Sequence, residues 1–101
     1  MYAMTGRLVA KQGKRAELIE ILKRAANLVG EIPQCRIYLV NEDIANETHV
    51  WMYELWDDKE SHDASLNNDR IRALIADARP LLASAPDGAE LRAVGGHGVS
   101  F

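Results

Sequence analysis

Glu54, Trp56 and His62 form the group of residues in this chain best able to do chemistry, spaced as Glu-x-Trp followed six residues later by a histidine. An imidazole titrates near neutral pH, so His62 suits the removal of a proton from a weakly acidic hydroxyl. Trp56 and Tyr53, with Trp51 on the same segment, offer flat walls for a flat ligand. Asn67 and Arg72 supply donors that orient polar substituents or meet an oxyanion. Together these types fit acid–base chemistry beside a flat ligand.

Each residue also has a plainer use. His62 can pack as a polar residue at a helix start, and Trp56 can belong to the core. Asn67 and Asn68 can punctuate helices. Glu54 lies mid-strand and needs a partner if buried; Arg7, Arg36 and Arg92 on other strands are the expected ones. His49, His62 and His97 share no ligand spacing, and Cys35 is the single cysteine, so no metal centre is expected. Cys35 reads as a small buried hydrophobe near a strand start. No Gly-x-Gly-x-x-Gly follows a strand, so neither a flavin nor a nicotinamide is expected.

The elements that must position these residues follow from periodicity. His49 to Trp56 alternates as a strand, with Trp51, Tyr53 and Leu55 on one face and Val50, Met52, Glu54 and Trp56 on the other. A short helix follows from Asp58 to about Leu66, with Asp57 as N-cap and Glu60 closing a capping box. Upstream, Tyr2 to Val9 reads as a strand with apolar residues on both faces, which suits a central position. Gly6 within it signals close approach by a neighbour or a bulge.

Lys14 to Val29 is a helix. Leu18, Leu22, Ala25 and Val29 form its apolar stripe, Lys14, Arg15, Glu17, Glu20, Lys23 and Arg24 point outward, and Glu20 pairs with Arg24. Gly30 stops it. Gln34 to Val40 is a second strand, with Cys35, Ile37 and Leu39 alternating against Arg36, Tyr38 and Val40; a polar loop, Asn41 to Thr48, joins it to the next. Asn68 caps a third helix that runs to Arg79, where Pro80 disturbs it and Leu81 to Ala83 continue as another turn. Ser84 to Gly88 is a turn, Ala89 to about Gly96 the last strand, and 96–101 a tail poor in core residues that docks on a partner chain or frays.

The order β-α-β-β-α-α-β is a split βαβ arrangement repeated once, which gives an α+β, ferredoxin-like sandwich with helices on one face of the sheet. The opposite face also carries large apolar residues, more than a monomer normally exposes, so a homodimer through that face is expected. At 101 residues, with a hydrophobic fraction of 48% and a charged fraction of 27%, the chain makes one ordinary globular domain, 1–101. Its 12 Lys and Arg are scattered among 15 acids for a net charge of −3, which argues against nucleic-acid binding, since that needs a basic stripe. No window has the apolar length of a membrane span and no leader precedes the first strand, so a cytoplasmic, reducing location is expected.

The segment Glu54-Leu-Trp56-Asp-Asp-Lys-Glu-Ser-His62, after an N-terminal Gly6-Arg-Leu-Val-Ala-Lys-Gln-Gly-Lys strand and turn, resembles the antibiotic biosynthesis monooxygenase domain, and the resemblance covers nearly the whole chain in element order. It implies a dimeric α+β barrel with a pocket in each subunit between sheet and helices. It further implies a quinol-monooxygenase-like activity: oxidation of a small phenol, quinol or polyketide-like aromatic by molecular oxygen with no prosthetic group. His62 would be the base, and Trp56, Tyr53, Asn67 and Arg72 would contact the substrate. An isomerase of the same fold using His62 as a proton shuttle, or a non-catalytic ligand-binding dimer, are the alternatives. The haem-degrading branch carries an Asn, a Trp and an axial His where this chain has Gly6, Ser65 and Ile75, so haem is not expected.

Overall fold

Backbone pairing joins the alternating segments into one antiparallel sheet. In a computed structural model that describes all 101 residues, the chain forms β1 (Tyr2–Val9), α1 (Arg15–Val29), β2 (Cys35–Glu42), β3 (His49–Trp56), α2 (Lys59–Ser65), α3 (Asp69–Ala78) and β4 (Asp87–Arg92). A single 3-10 turn, Arg79–Leu81, follows α3, because Pro80 fits the first turn of a helix but cannot donate within one. The strand order is β2-β3-β1-β4, the ferredoxin-like α+β order, with β1 central as its two-sided apolar pattern required.

Cross-strand register sets the two faces. Tyr2 pairs with Trp56, Met4 with Glu54, Gly6 with Met52 and Leu8 with Val50, and these side chains point toward the helices. Leu18 of α1 and Val50 are fully buried between the layers, each worth roughly 1.5–3 kcal/mol of burial. Val29, Trp56 and Ile71 form a second buried cluster at the other end of the helix layer.

Five local expectations change. The last strand begins at Asp87, inside the expected turn, and ends at Arg92 rather than near Gly96. The cause lies at Gly6 and Gly88, which face each other across β1 and β4: a Cβ on Gly88 would sit 2.9 Å from the Thr5 carbonyl oxygen. The missing side chain lets the backbones pair early, and it is the close approach that Gly6 signalled. A register shift between Cys35 and Ile37 breaks the expected alternation of β2. It turns Cys35, Tyr38 and Val40 to the helix side and leaves Ile37 and Leu39 on the open side. The N-cap of α2 is Asp58, whose Oδ1 accepts from the Ser61 N–H at 2.7 Å. Asp57 is still tied to the sheet through its own N–H, which donates to the Gln34 carbonyl, so the helix starts one residue later. Arg15 does not face solvent, because its Nη1 donates to the carbonyls of Asp43, Asn46 and His49 and pins the β2–β3 connection. Glu20 pairs with Lys23 at 3.1 Å, one residue short of Arg24.

Gly30 ends α1 as expected, but in a right-handed conformation, with its N–H donating to Ala26.

Candidate active site

The site begins where β3 hands over to α2. Alternation puts Glu54 and Trp56 on the helix side of the sheet, and the Asp58 cap brings His62 down onto the same region about one turn later. His62 is 7% exposed. Its ring meets Trp56 edge-on at 5.6 Å and Tyr2 at a tilt at 5.2 Å, both between ring centroids. Its Nε2 lies 3.9 Å from Glu54 Oε1, and its Nδ1 lies 2.9 Å from Asp63 Oδ1. The buried Ser65 hydroxyl donates to the His62 carbonyl at 2.6 Å and steadies that turn of the helix.

Glu54 finds a different partner from the arginines expected. Its Oε1 accepts from the indole Nε1 of Trp56 at 3.0 Å. Arg7 points to the open side of β1 and pairs with Asp87, and Arg36, beside the β2 bulge, pairs with Asp57. The carboxylate is therefore held by a neutral donor, with the imidazole 3.9 Å away, in a region that repels further negative charge. The Tyr38 hydroxyl is pushed well above its ordinary range by burial first and by Glu54 second. The Cys35 thiol is pushed up to about 11, by burial first and by Glu54 second. The Tyr2 hydroxyl is also raised, by burial and then by Glu90. An anion forming beside Glu54 would need the positive charge of a protonated His62 next to it.

Glu54 and His62 open onto a cavity of 380 Å³ between the sheet and helices α1 and α3. Of its 18 lining residues 13 are hydrophobic, among them Leu18, Leu22, Leu74 and Ile75, so the walls are aliphatic. Tyr38, Glu54, His62, Ser65 and Arg79 are the lining residues with polar or charged side chains. A second space of 490 Å³ over β1 and β4 shares Leu8, Leu22, Tyr38, Glu54 and His62 with the first. The acid and the imidazole thus stand where the two spaces meet, in a volume suited to a small organic ligand.

The other residues singled out from the sequence lie elsewhere. Trp56 is wholly buried in the core and reaches the site through its hydrogen bond to Glu54 and its edge-on contact with the His62 ring, not as a wall of the cavity. Tyr53 is 52% exposed on the opposite face of the sheet, beside Trp51, whose Nε1 donates to Asp43 at 2.8 Å. Asn67 and Arg72 are exposed and do not line the cavity; Asn67 closes the end of α2 and Arg72 begins the ladder of α3. The aromatic residue on the cavity wall is instead Tyr38, which the bulge in β2 turned inward. Ser65, three residues after His62, shares its helix face, and that spacing was the one signal for it in the sequence. No group of three or more His, Cys, Asp or Glu side chains is arranged to hold a metal ion.

The sequence profile described as antibiotic biosynthesis monooxygenase matches residues 1–77. A solved structure from Chloroflexus aurantiacus J-10-fl, provisionally named an antibiotic biosynthesis monooxygenase, is similar at 37% identity and a TM-score of 0.88, with 98% of each chain covered. A structure from Caulobacter crescentus CB15 with the same kind of name is 23% identical, with a TM-score of 0.88 over 93% of this chain and 90% of that one. A single-residue variant of SnoaB, named a cofactor-independent oxygenase from Streptomyces nogalater, shares the fold at a TM-score of 0.83 and 13% identity, over 97% of both chains. No curated protein sequence matches the chain.

Proposed function

This chain belongs to the antibiotic biosynthesis monooxygenase family, and from that membership we propose that it oxidises a small phenol, quinol or polyketide-like aromatic with molecular oxygen and no cofactor of its own. The observation that carries the reading is a buried imidazole, His62, beside Glu54 on the wall of a mostly aliphatic cavity. A phenol or quinol bound there would give its hydroxyl proton to His62, and the imidazolium would then balance the new phenolate against Glu54. The electron-rich anion can pass an electron to oxygen, and the resulting ring radical and superoxide can join as a peroxide. The peroxide takes back the imidazolium proton; its O–O bond then breaks as the oxygenated carbon loses its hydrogen, which leaves one oxygen atom in the product carbonyl and sends the other away as water. The aliphatic walls keep bulk water from quenching these intermediates. Tyr38 and Ser65 are the nearest hydroxyls on the cavity wall for orienting the adduct.

Oxygen consumption over a panel of quinols and hydroxylated aromatics tests the proposal. Uptake well above the spontaneous rate, falling about 100-fold or more in His62→Ala, is the expected result. Uptake equal to the spontaneous rate across the panel would reject it. Proton exchange into a substrate without oxygen uptake would point to an isomerase, and tight binding of aromatics with neither activity to a ligand-binding protein.

The same reading includes a homodimer through the open face of the sheet, where Leu39, Trp51, Tyr53 and Leu91 are exposed. It also places the protein in the cytoplasm, where its one free thiol, Cys35, has no disulfide partner to find within the chain. No helix is long and apolar enough to cross a membrane.

A further inference from the structure

We propose that Asp63 is a positioning residue for His62, accepting the Nδ1 proton so that Nε2, on the Glu54 side, is the nitrogen that takes a proton from a ligand. The Nδ1 to Oδ1 distance of 2.9 Å is that of a hydrogen bond, and an ionised carboxylate can only accept. Nδ1 therefore carries a proton whether the ring is neutral or charged. At the other edge of the ring, the 3.9 Å between Nε2 and Glu54 Oε1 is too long for a hydrogen bond. Glu54 Oε1 is already engaged by Trp56, so Nε2 is left without a protein partner at the junction of the two cavity spaces. A ligand hydroxyl seated in that gap would find a bare, basic nitrogen.

The second carboxylate is held in place for this task. Lys59, one helical turn before it, donates to both oxygens of Asp63 at 3.2 and 2.9 Å, and itself lies 3.8 Å from Glu90 of β4. The Asp63 carboxyl is held below its usual range by Lys59 first and His62 second, so it stays an acceptor. Around the imidazole stand Tyr2 from β1, Glu54 from β3, and Asp63 from its own helix, with Lys59 behind Asp63. Of these only Asp63 touches Nδ1. The arrangement is acid, imidazole, acid, with one acid in the cavity and the other at the surface.

This inference rests on the proposed function only for the identity of the proton taken, so its test is separable. Imidazole nitrogen shifts of His62 in the full-length, nitrogen-15-labelled protein at alkaline pH, assigned by comparison with His62→Ala, report the tautomer directly. The wild type is expected to be protonated at Nδ1 and bare at Nε2. Asp63→Asn, whose amide can donate to Nδ1, should reverse the tautomer, Asp63→Ala should populate both forms, and Asp63→Glu should restore the first. An Nε2-protonated wild type, or a tautomer unmoved by both Asp63→Asn and Asp63→Ala, would overturn the proposal. In the oxygen assay, Asp63→Asn should lower kcat roughly tenfold or more with KM changed by less than about twofold. Failure of the oxygen assay alone rejects the oxygenase reading while the tautomer measurement still decides the role of Asp63.

Discussion

Trp56 and Glu54 show how one residue can be both core and site. The indole fills the buried cluster with Val29 and Ile71, and its single N–H fixes the carboxylate that faces the cavity. Substituting Trp56→Phe keeps most of the apolar volume but leaves the half-buried Glu54 carboxylate without its donor. A loss of about 1–3 kcal/mol in urea unfolding is expected, the cost of leaving a buried acceptor without its donor. A change below about 0.5 kcal/mol would mean that Glu54 relies on His62 or water instead. His62 itself was legible in the sequence as a histidine early on a helix after Glu-x-Trp. Its two carboxylate neighbours were not equally legible: Asp63 is adjacent in the chain, whereas the 3.9 Å approach of Glu54 exists only once β3 and α2 are folded against each other.

Among the elements, the β2–β3 connection depends on a single carboxylate. Asp43 accepts from Trp51 Nε1 and from the backbone N–H groups of Ala45 and Asn46, while Arg15 reaches across from α1 to the same loop's carbonyls. These bonds, the indole's first, lower the Asp43 carboxyl to about 2 from its ordinary 3.8. Because the folded value is depressed, the stabilisation is fully present above about pH 4 and is lost as pH falls from there toward about 2. Thermal melts of wild type and Asp43→Ala should differ most above about pH 4 and converge as pH approaches about 2. A gap that did not narrow over that interval would show that Asp43 acts through packing, not charge. The loop was readable from the sequence as polar, but its anchor was not, since Arg15 looks like any outward-facing residue of an amphipathic helix.

At the scale of the whole molecule, the sheet has one covered and one open face. The open face carries Tyr53 and Leu39 about half exposed, with Trp51 and Leu91 alongside. Register makes these residues neighbours: Leu39 pairs with Tyr53 and Asn41 with Trp51 on β2 and β3, and Thr5 and Arg7 continue the rows onto β1. Sedimentation at micromolar concentration is expected to give a mass twice that of one chain. Tyr53→Asp, which places a charge between the exposed Leu39 and Trp51, should give a monomer that keeps its secondary structure. A monomeric wild type would remove the dimer from the reading, and an unchanged dimer in Tyr53→Asp would move its interface elsewhere.

The sequence by itself determined the element order, the central place of β1, and the split of β3 into a Val50–Trp56 face and a Trp51–Leu55 face, because a period of two or of 3.6 is a local property of the chain. It also marked the strand-to-helix junction and His62 within it. Only the tertiary structure decided which residues share the cavity. A one-residue register shift in β2 put Tyr38 on the same side as Cys35, the Gly6–Gly88 pair moved the start of β4, and the packing of the helices on one face of the sheet put Tyr53 outside and Glu54 inside. Those outcomes depend on pairings between residues far apart in sequence, where no local period carries information. The junction from Glu54 to His62 belongs to both descriptions: its spacing is written in the chain, and its chemistry appears only when the sheet and the short helix close on one another.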